Sequence, residues 1–214
     1  FSKQNITDDM FLEQYATIFF DAYLKEDEKK TEWYSMALQM FVGVCYVFYN
    51  NYEEYCTLPH ICNFILHNDD ETIIRFIETD DKAKGFASPY LKAQASEKTL
   101  ASIQTTVAGK IGGFASNENF CYILSGNDFS LNPIEKGNPK SICVSNVFNL
   151  REVLSPIVVL LFNSVARKFE FGNTNPFVFF MDEATTFKIN NFESYPSELR
   201  EYKVAFVFLT QSAG

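Results

Sequence analysis

PFVFFMDEATTF, residues 176–187, sets an unbroken apolar run, Phe177 to Met181, directly against two carboxylates, Asp182 and Glu183. A short run of this kind suits a strand buried on both faces, as in a parallel sheet. Such strands do not ordinarily end in paired acids, because a buried charge without a partner is costly. In open α/β sheets ligands bind beyond the carboxyl ends of the strands, where Asp182 and Glu183 would sit. The run therefore ends either in a ligand-handling site or in a turn with two solvated acids.

The neighbouring segments share the alternation. Ile142–Val147 is expected as a strand, and 150–169 as a helix through Val153, Ile157, Leu160, Leu161 and Val165, with Pro156 in its first turns. Phe192–Tyr202 is expected as a short helix and Val204–Thr210 (VAFVFLT) as a third strand. Strand, helix, strand, helix, strand is the pattern of parallel βαβ units, and the expected class is α/β. Parallel strands bring Asp182, Glu183 and Gln211 to one edge. The opening run then has the form of a Walker B element, whose first acid holds Mg²⁺ through water and whose second polarises the attacking water.

Two further residues take either a functional or an ordinary role. The Gln211 amide either senses a γ-phosphate or the attacking water, or is a polar residue leaving a strand. Arg200 either forms a surface pair with Glu198 or Glu201, of little energetic worth, or is an arginine finger reaching a neighbouring subunit's nucleotide. No G-x-x-x-x-G-K-[ST] occurs; GKIGGF at Gly109–Phe114 has neither the spacing nor the following Ser or Thr. Lacking a loop to cradle phosphate, the chain by itself is not expected to hydrolyse ATP.

Upstream, residues 7 to 115 pattern as helices. Thr7, Asp8 and Asp9 can cap a first helix with Phe11, Tyr15, Ile18, Phe19 and Ala22 on one face. KEDEKK (Lys25–Lys30) is a solvated link. A long helix from Thr31 to Asn50 should point Trp33, Ala37, Met40, Phe41 and Val44 inward. Thr57 and Pro59 start another, and one from Asp70 to Thr79 buries Ile73, Phe76 and Ile77. Asp80–Gly85 is expected as a charged turn, Ser88-Pro89 as a short helix start, and Ser96 or Glu97 as the start of a longer helix. That helix, through Leu100, Ile103, Val107, Ile111 and Phe114, should fray at Gly109, Gly112 and Gly113. Tyr122–Leu124 is expected as extended chain and Ser125–Lys140 as turns.

Composition bounds the classes. Hydrophobic residues at 47% and charged residues at 21% describe a folded chain with a core rich in Phe and Tyr. A net charge of −9 argues against a broad basic surface for nucleic acid, though not against a local basic channel built from several copies. Cys45, Cys56, Cys62, Cys121 and Cys143 are odd in number, show no CxxC pairing and read as reduced thiols. Cys56, His60 and Cys62 lack a second ligand cluster, so zinc is not expected. Met36–Tyr49 is too short to span a bilayer. The start at Phe1 and the end at Gly214 look like cuts through something larger.

MDEATTFKINNFESYPSELREYKVAFVFLTQS (181–212) resembles the conserved block of type IV secretion coupling proteins, the TraG/TraD-type ATPases of bacterial conjugation. Arg200 follows Asp182 by 18 residues and Gln211 follows it by 29, close to that family's pattern. EWYSMALQMFVGVCYVFY (32–49) resembles the tryptophan-containing helix of the family's inserted all-α domain, KTLASIQTTVAGKIGGFA (98–115) its late helix, and SGNDFSL (125–131) the return toward the sheet. The resemblance implies a RecA-like P-loop domain with an all-helical insert: residues 8–120 as the insert, 121–140 as the return segment, and 141–214 with 1–7 as part of the nucleotide-binding domain, Walker A lying elsewhere. It implies ATP and Mg²⁺ as ligands of the full-length protein, a homo-hexamer at the cytoplasmic face of the bacterial inner membrane, and single-stranded DNA passing through the ring. It also implies relaxase or relaxosome proteins and type IV secretion components as partners. Asp182 becomes the Mg²⁺ ligand through water, Glu183 the catalytic carboxylate, Gln211 the γ-phosphate sensor and Arg200 the finger in trans. Two other readings stay open: residues 8–120 as a protein-docking module, and a chromosome-pumping ring translocase of the same superfamily.

Overall fold

Side-chain caps set the helix boundaries of the N-terminal part. A computed structural model describes residues 5–6, 8–23, 31–126, 128–145, 151–169, 173, 175–183, 187, 189 and 191–210, with 151–153 as backbone only. Within these, Thr31 accepts from the Tyr34 amide at 3.2 Å and opens α2 (Glu32–Asn51). Thr57 opens α3 (Leu58–His67), with Pro59 in its first turn. Asp69 opens α4 (Asp70–Ile77), accepting from the Thr72 amide at 2.9 Å, and Ser96 opens α7 (Glu97–Ala115). Each cap satisfies an amide that the first turn leaves without a helical partner, worth about 1 kcal/mol. α1 (Leu12–Asp21) follows a 3-10 turn capped by Asp8, and α6 spans Ser88–Lys92.

The chain divides into two compact units, Phe1–Phe129 and Ser130–Gly214. In the first, α2 is the axis. Every residue from Met40 to Tyr49 is buried, because α1, α3, α4, α6 and α7 pack around it together with α5 (Asp81–Phe86). A helix apolar on all sides is stable only when surrounded in this way. Phe19 joins three helices, lying 5.8 Å from Phe41 and 5.6 Å from Phe114 between ring centres. Phe48, Phe64 and Phe76 join α2, α3 and α4. Gly43 allows the closest approach: a Cβ there would lie 2.9 Å from the Ala87 Cβ, nearer than side chains tolerate.

Several local expectations give way to tertiary and capping effects. Asp80–Gly85 is not a turn; Asp80 accepts from the Ala83 amide at 2.8 Å and starts α5, which buries Ala83. Tyr122–Leu124 is not extended but lies in α8 (Glu118–Ser125), which Asn117 caps and Phe120 anchors, overriding the β preference of Tyr and Ile. Gly109, Gly112 and Gly113 do not end α7, which continues to Ala115 because Ile111 and Phe114 are fully buried. Trp33 is 38% exposed rather than inward. KEDEKK from residue 25 on lies outside the described residues. Among the described residues no helix is long and apolar enough to cross a membrane.

In the second unit, α9 (Arg151–Ala166) precedes β1 (Phe177–Asp182) and β2 (Val204–Leu209), which pair in parallel. Between the strands runs a chain of single turns: a 3-10 turn at Phe192–Ser194, α10 (Tyr195–Glu198) and a 3-10 turn at Arg200–Tyr202. Ile142–Val147 shows no strand over residues 141–145, and the remainder lies outside the described residues. Described strands and helices together are α/β, with a two-stranded sheet. Among the described residues, burial on both strand faces is not observed. Phe177, Phe179 and Phe206 face the α9 side, with Phe162 4.9 Å from Phe179, whereas Val178, Phe180, Val207 and Leu209 are exposed. An apolar run records the strand but not which faces are covered.

Candidate functional site

Parallel pairing places Phe177 beside Val204 and Asp182 beside Leu209. The two strands therefore finish together, and the acids of one stand where the other gives way to Thr210. Asp182 is the last residue of β1 and is exposed. Glu183, also exposed, turns the chain with φ of 53°. That left-handed conformation is unfavourable for a side chain other than glycine, asparagine or aspartate, by roughly 1 kcal/mol or more. The strained residue is the first one past the sheet. Gln211 lies outside the described residues.

Arg200 is not at this edge. It begins the 3-10 turn whose last hydrogen bond runs from the Lys203 amide to the Arg200 carbonyl, and the Lys203 carbonyl accepts from the Phe177 amide at 3.0 Å. Arg200 is thus beside the start of β1. Asp182 lies five residue steps along the strand from that end, about 16 Å at roughly 3.3 Å per residue. An arginine side chain does not bridge such a gap. Arg200 is exposed, and among the described residues it makes no ion pair with Glu198 or Glu201. Arg200 therefore does not reach the carboxylates of this chain.

Cys45, Cys56 and Cys62 are buried and in no disulfide, and burial pushes the Cys45 and Cys62 thiols well up. His60 Nδ1 lies 2.7 Å from the Thr57 hydroxyl, a helix-start contact. Among the described residues no group of three or more His, Cys, Asp or Glu is placed to hold a metal. Charge is divided unevenly: residues 1–129 hold 19 acidic and 10 basic side chains, whereas 130–214 hold eight of each, so the net −9 belongs to the helical unit.

Sequence reasoning passed over Asn163, Tyr195 and Asn173. Buried Asn163 donates from Nδ2 to the Val159 carbonyl at 2.8 Å and accepts at Oδ1 from the Tyr195 hydroxyl at 2.7 Å. Asn173 Nδ2 donates to the carbonyls of Asn175 (2.7 Å) and Tyr202 (3.0 Å). A polar residue in the middle of VVLLFNSVA was the available signal.

Residues 7–214 match the family described as Type IV secretory system Conjugative DNA transfer. None of the curated proteins matches the chain. Among solved structures, the bacterial conjugative coupling protein TrwBdeltaN70 in complex with sulphate is similar, with a TM-score of 0.70 and 14% identity over 100% of this chain and 49% of that one. The plasmid coupling protein TrwB in complex with ADP and Mg²⁺ gives a TM-score of 0.70 and 14% identity, covering 98% of this chain and 48% of that one. The chain thus spans about half the length of the solved structures it matches.

Proposed function

Because the chain belongs to the type IV secretory system conjugative DNA transfer family, we propose that its sheet carries half of an ATP site that powers DNA transfer. The observation that carries this is the in-register parallel pair, which ends Asp182 and Leu209 side by side and turns the chain sharply at Glu183. The full fold is then a RecA-like P-loop domain whose helical insert is residues 8–120, with 121–140 returning to the sheet. ADP and Mg²⁺ accompany the plasmid coupling protein TrwB, and this lends weight to the same ligands here.

The donor set fits. Exposed carboxylate oxygens at the end of a parallel strand are the hard ligands that Mg²⁺ selects, usually with several waters kept. Asp182 would hold the ion through water, and the ion when bound would neutralise charge on the nucleotide phosphates. Glu183 orients the attacking water by accepting its hydrogen bond and takes its proton at a carboxylate oxygen. Gln211 senses the γ-phosphate by hydrogen bonding, and Arg200 serves the site of the adjoining subunit in a homo-hexamer. The ring works at the cytoplasmic face of the inner membrane, bringing a relaxase-bound DNA strand to the secretion channel.

Asp182→Asn in the whole protein is expected to raise the Mg²⁺ concentration for half-maximal ATP turnover about tenfold. An unchanged Mg²⁺ midpoint removes Asp182 from the ion's surroundings. A second reading has its own support: the helical unit carries all of the net negative charge, which suits basic protein partners such as relaxosome components better than bare DNA.

A further inference from the structure

Resting on the reading of Arg200 as a finger, we propose that Asn163, Tyr195 and Asn173 are positioning residues that fix where Arg200 is presented. The segment bearing Arg200 consists of two 3-10 turns and a four-residue helix, too short to hold a conformation without help. Its place depends on what it touches. Phe192 lies 5.9 Å from Phe162 and 5.1 Å from Phe208 between ring centres, Tyr195 lies 5.2 Å from Phe162, and Leu199 is buried. Apolar contacts of this sort hold the segment against α9 and the sheet but tolerate sliding, because burial is not directional.

Directional bonds remove that freedom. Asn163 stands where an apolar side chain would avoid the cost of a desolvated amide, yet both ends of its amide are used. Its Oδ1 accepts from the Tyr195 hydroxyl, five residues before Arg200. Burial pushes the Tyr195 phenol up, so it remains a neutral donor. On the other side of Arg200, Asn173 donates to the carbonyl of Tyr202 and also bonds both backbone groups of Asn175, so one side chain ties the approach to β1 to the approach to β2. Lys203, in the left-handed region with φ of 61°, closes the turn onto the Arg200 carbonyl. The arginine backbone is thus held from both sides while its side chain stays exposed. A finger that must meet a phosphate in a neighbouring subunit requires this, since a misplacement of 1 Å can cost about a hundredfold in rate.

The test is steady-state ATP hydrolysis by the whole protein. Tyr195→Phe keeps the ring contacts and removes the donor; kcat should fall about tenfold with KM for ATP unchanged. In an Arg200→Ala background the same substitution should lower kcat no further, because the two act as one unit. Asn163→Leu combined with Tyr195→Phe leaves no unpaired amide and should recover thermal stability while kcat stays low. An equal fall in both backgrounds, no fall at all, or recovery of kcat in the double variant overturns the proposal. Intact turnover in Arg200→Ala alone overturns the finger reading itself, a separate failure visible before any Tyr195 variant is made.

Discussion

Glu183→Gln in the whole protein is expected to lower ATP turnover about a thousandfold while nucleotide still binds. Glutamine keeps the shape and the hydrogen-bonding reach of the side chain, and it takes the φ of 53° at the same cost as glutamate. What it loses is the oxygen that accepts a proton from water. Steady-state hydrolysis read beside a titration with a fluorescent nucleotide separates the two effects. Unchanged turnover removes Glu183 as the catalytic carboxylate, and lost binding gives it a part in holding nucleotide instead.

Arg200→Ala is expected to reduce turnover by a comparable factor, about a thousandfold, with ATP affinity unchanged. The reason is geometric. Arg200 sits at the starting edge of the sheet, beside Phe177, and Asp182 at the finishing edge. It does not reach the carboxylates of its own chain, so the proposed finger requires a second copy. Mixing follows from that: Glu183→Gln subunits and Arg200→Ala subunits, each inactive alone, should regain part of the activity when assembled together. In mixed rings some sites join an intact Glu183 to an intact Arg200 from the neighbour. Arg200→Lys should recover little, since a lysine offers no planar fork to a phosphate. No recovery on mixing removes Arg200 as a finger that reaches a neighbouring copy.

How much of this was legible before the structure depended on the kind of signal. Thr31, Thr57 and Ser96 mark helix starts because an N-cap is a local event, written in one side chain and one amide three residues on. The strands at 177 and 204 were legible for a similar reason, as short apolar runs with sharp ends. Asp80–Phe86 and Glu118–Ser125 were not, since burial of Ala83 and Phe120 against other helices decides them. The acids at the end of β1 stood out by chemistry, and the parallel register that gives them meaning is visible only when Asp182 is seen beside Leu209. Arg200 stood out as a charge, but its position at the far edge came from the hydrogen bonds of Lys203 and Phe177. Asn163 carried a weak signal that only its bond to Tyr195 makes specific.

Metal-directed cleavage reads the placement of the metal without relying on activity. Fe²⁺ exchanged for Mg²⁺ in the whole protein with ADP, then treated with ascorbate and peroxide, generates radicals that cut the nearest backbone. Cuts that require nucleotide should map to Asp182–Glu183 and to the chain just beyond Leu209. Cuts that fall elsewhere, or that appear equally without nucleotide, contradict a nucleotide-bound metal at the end of β1.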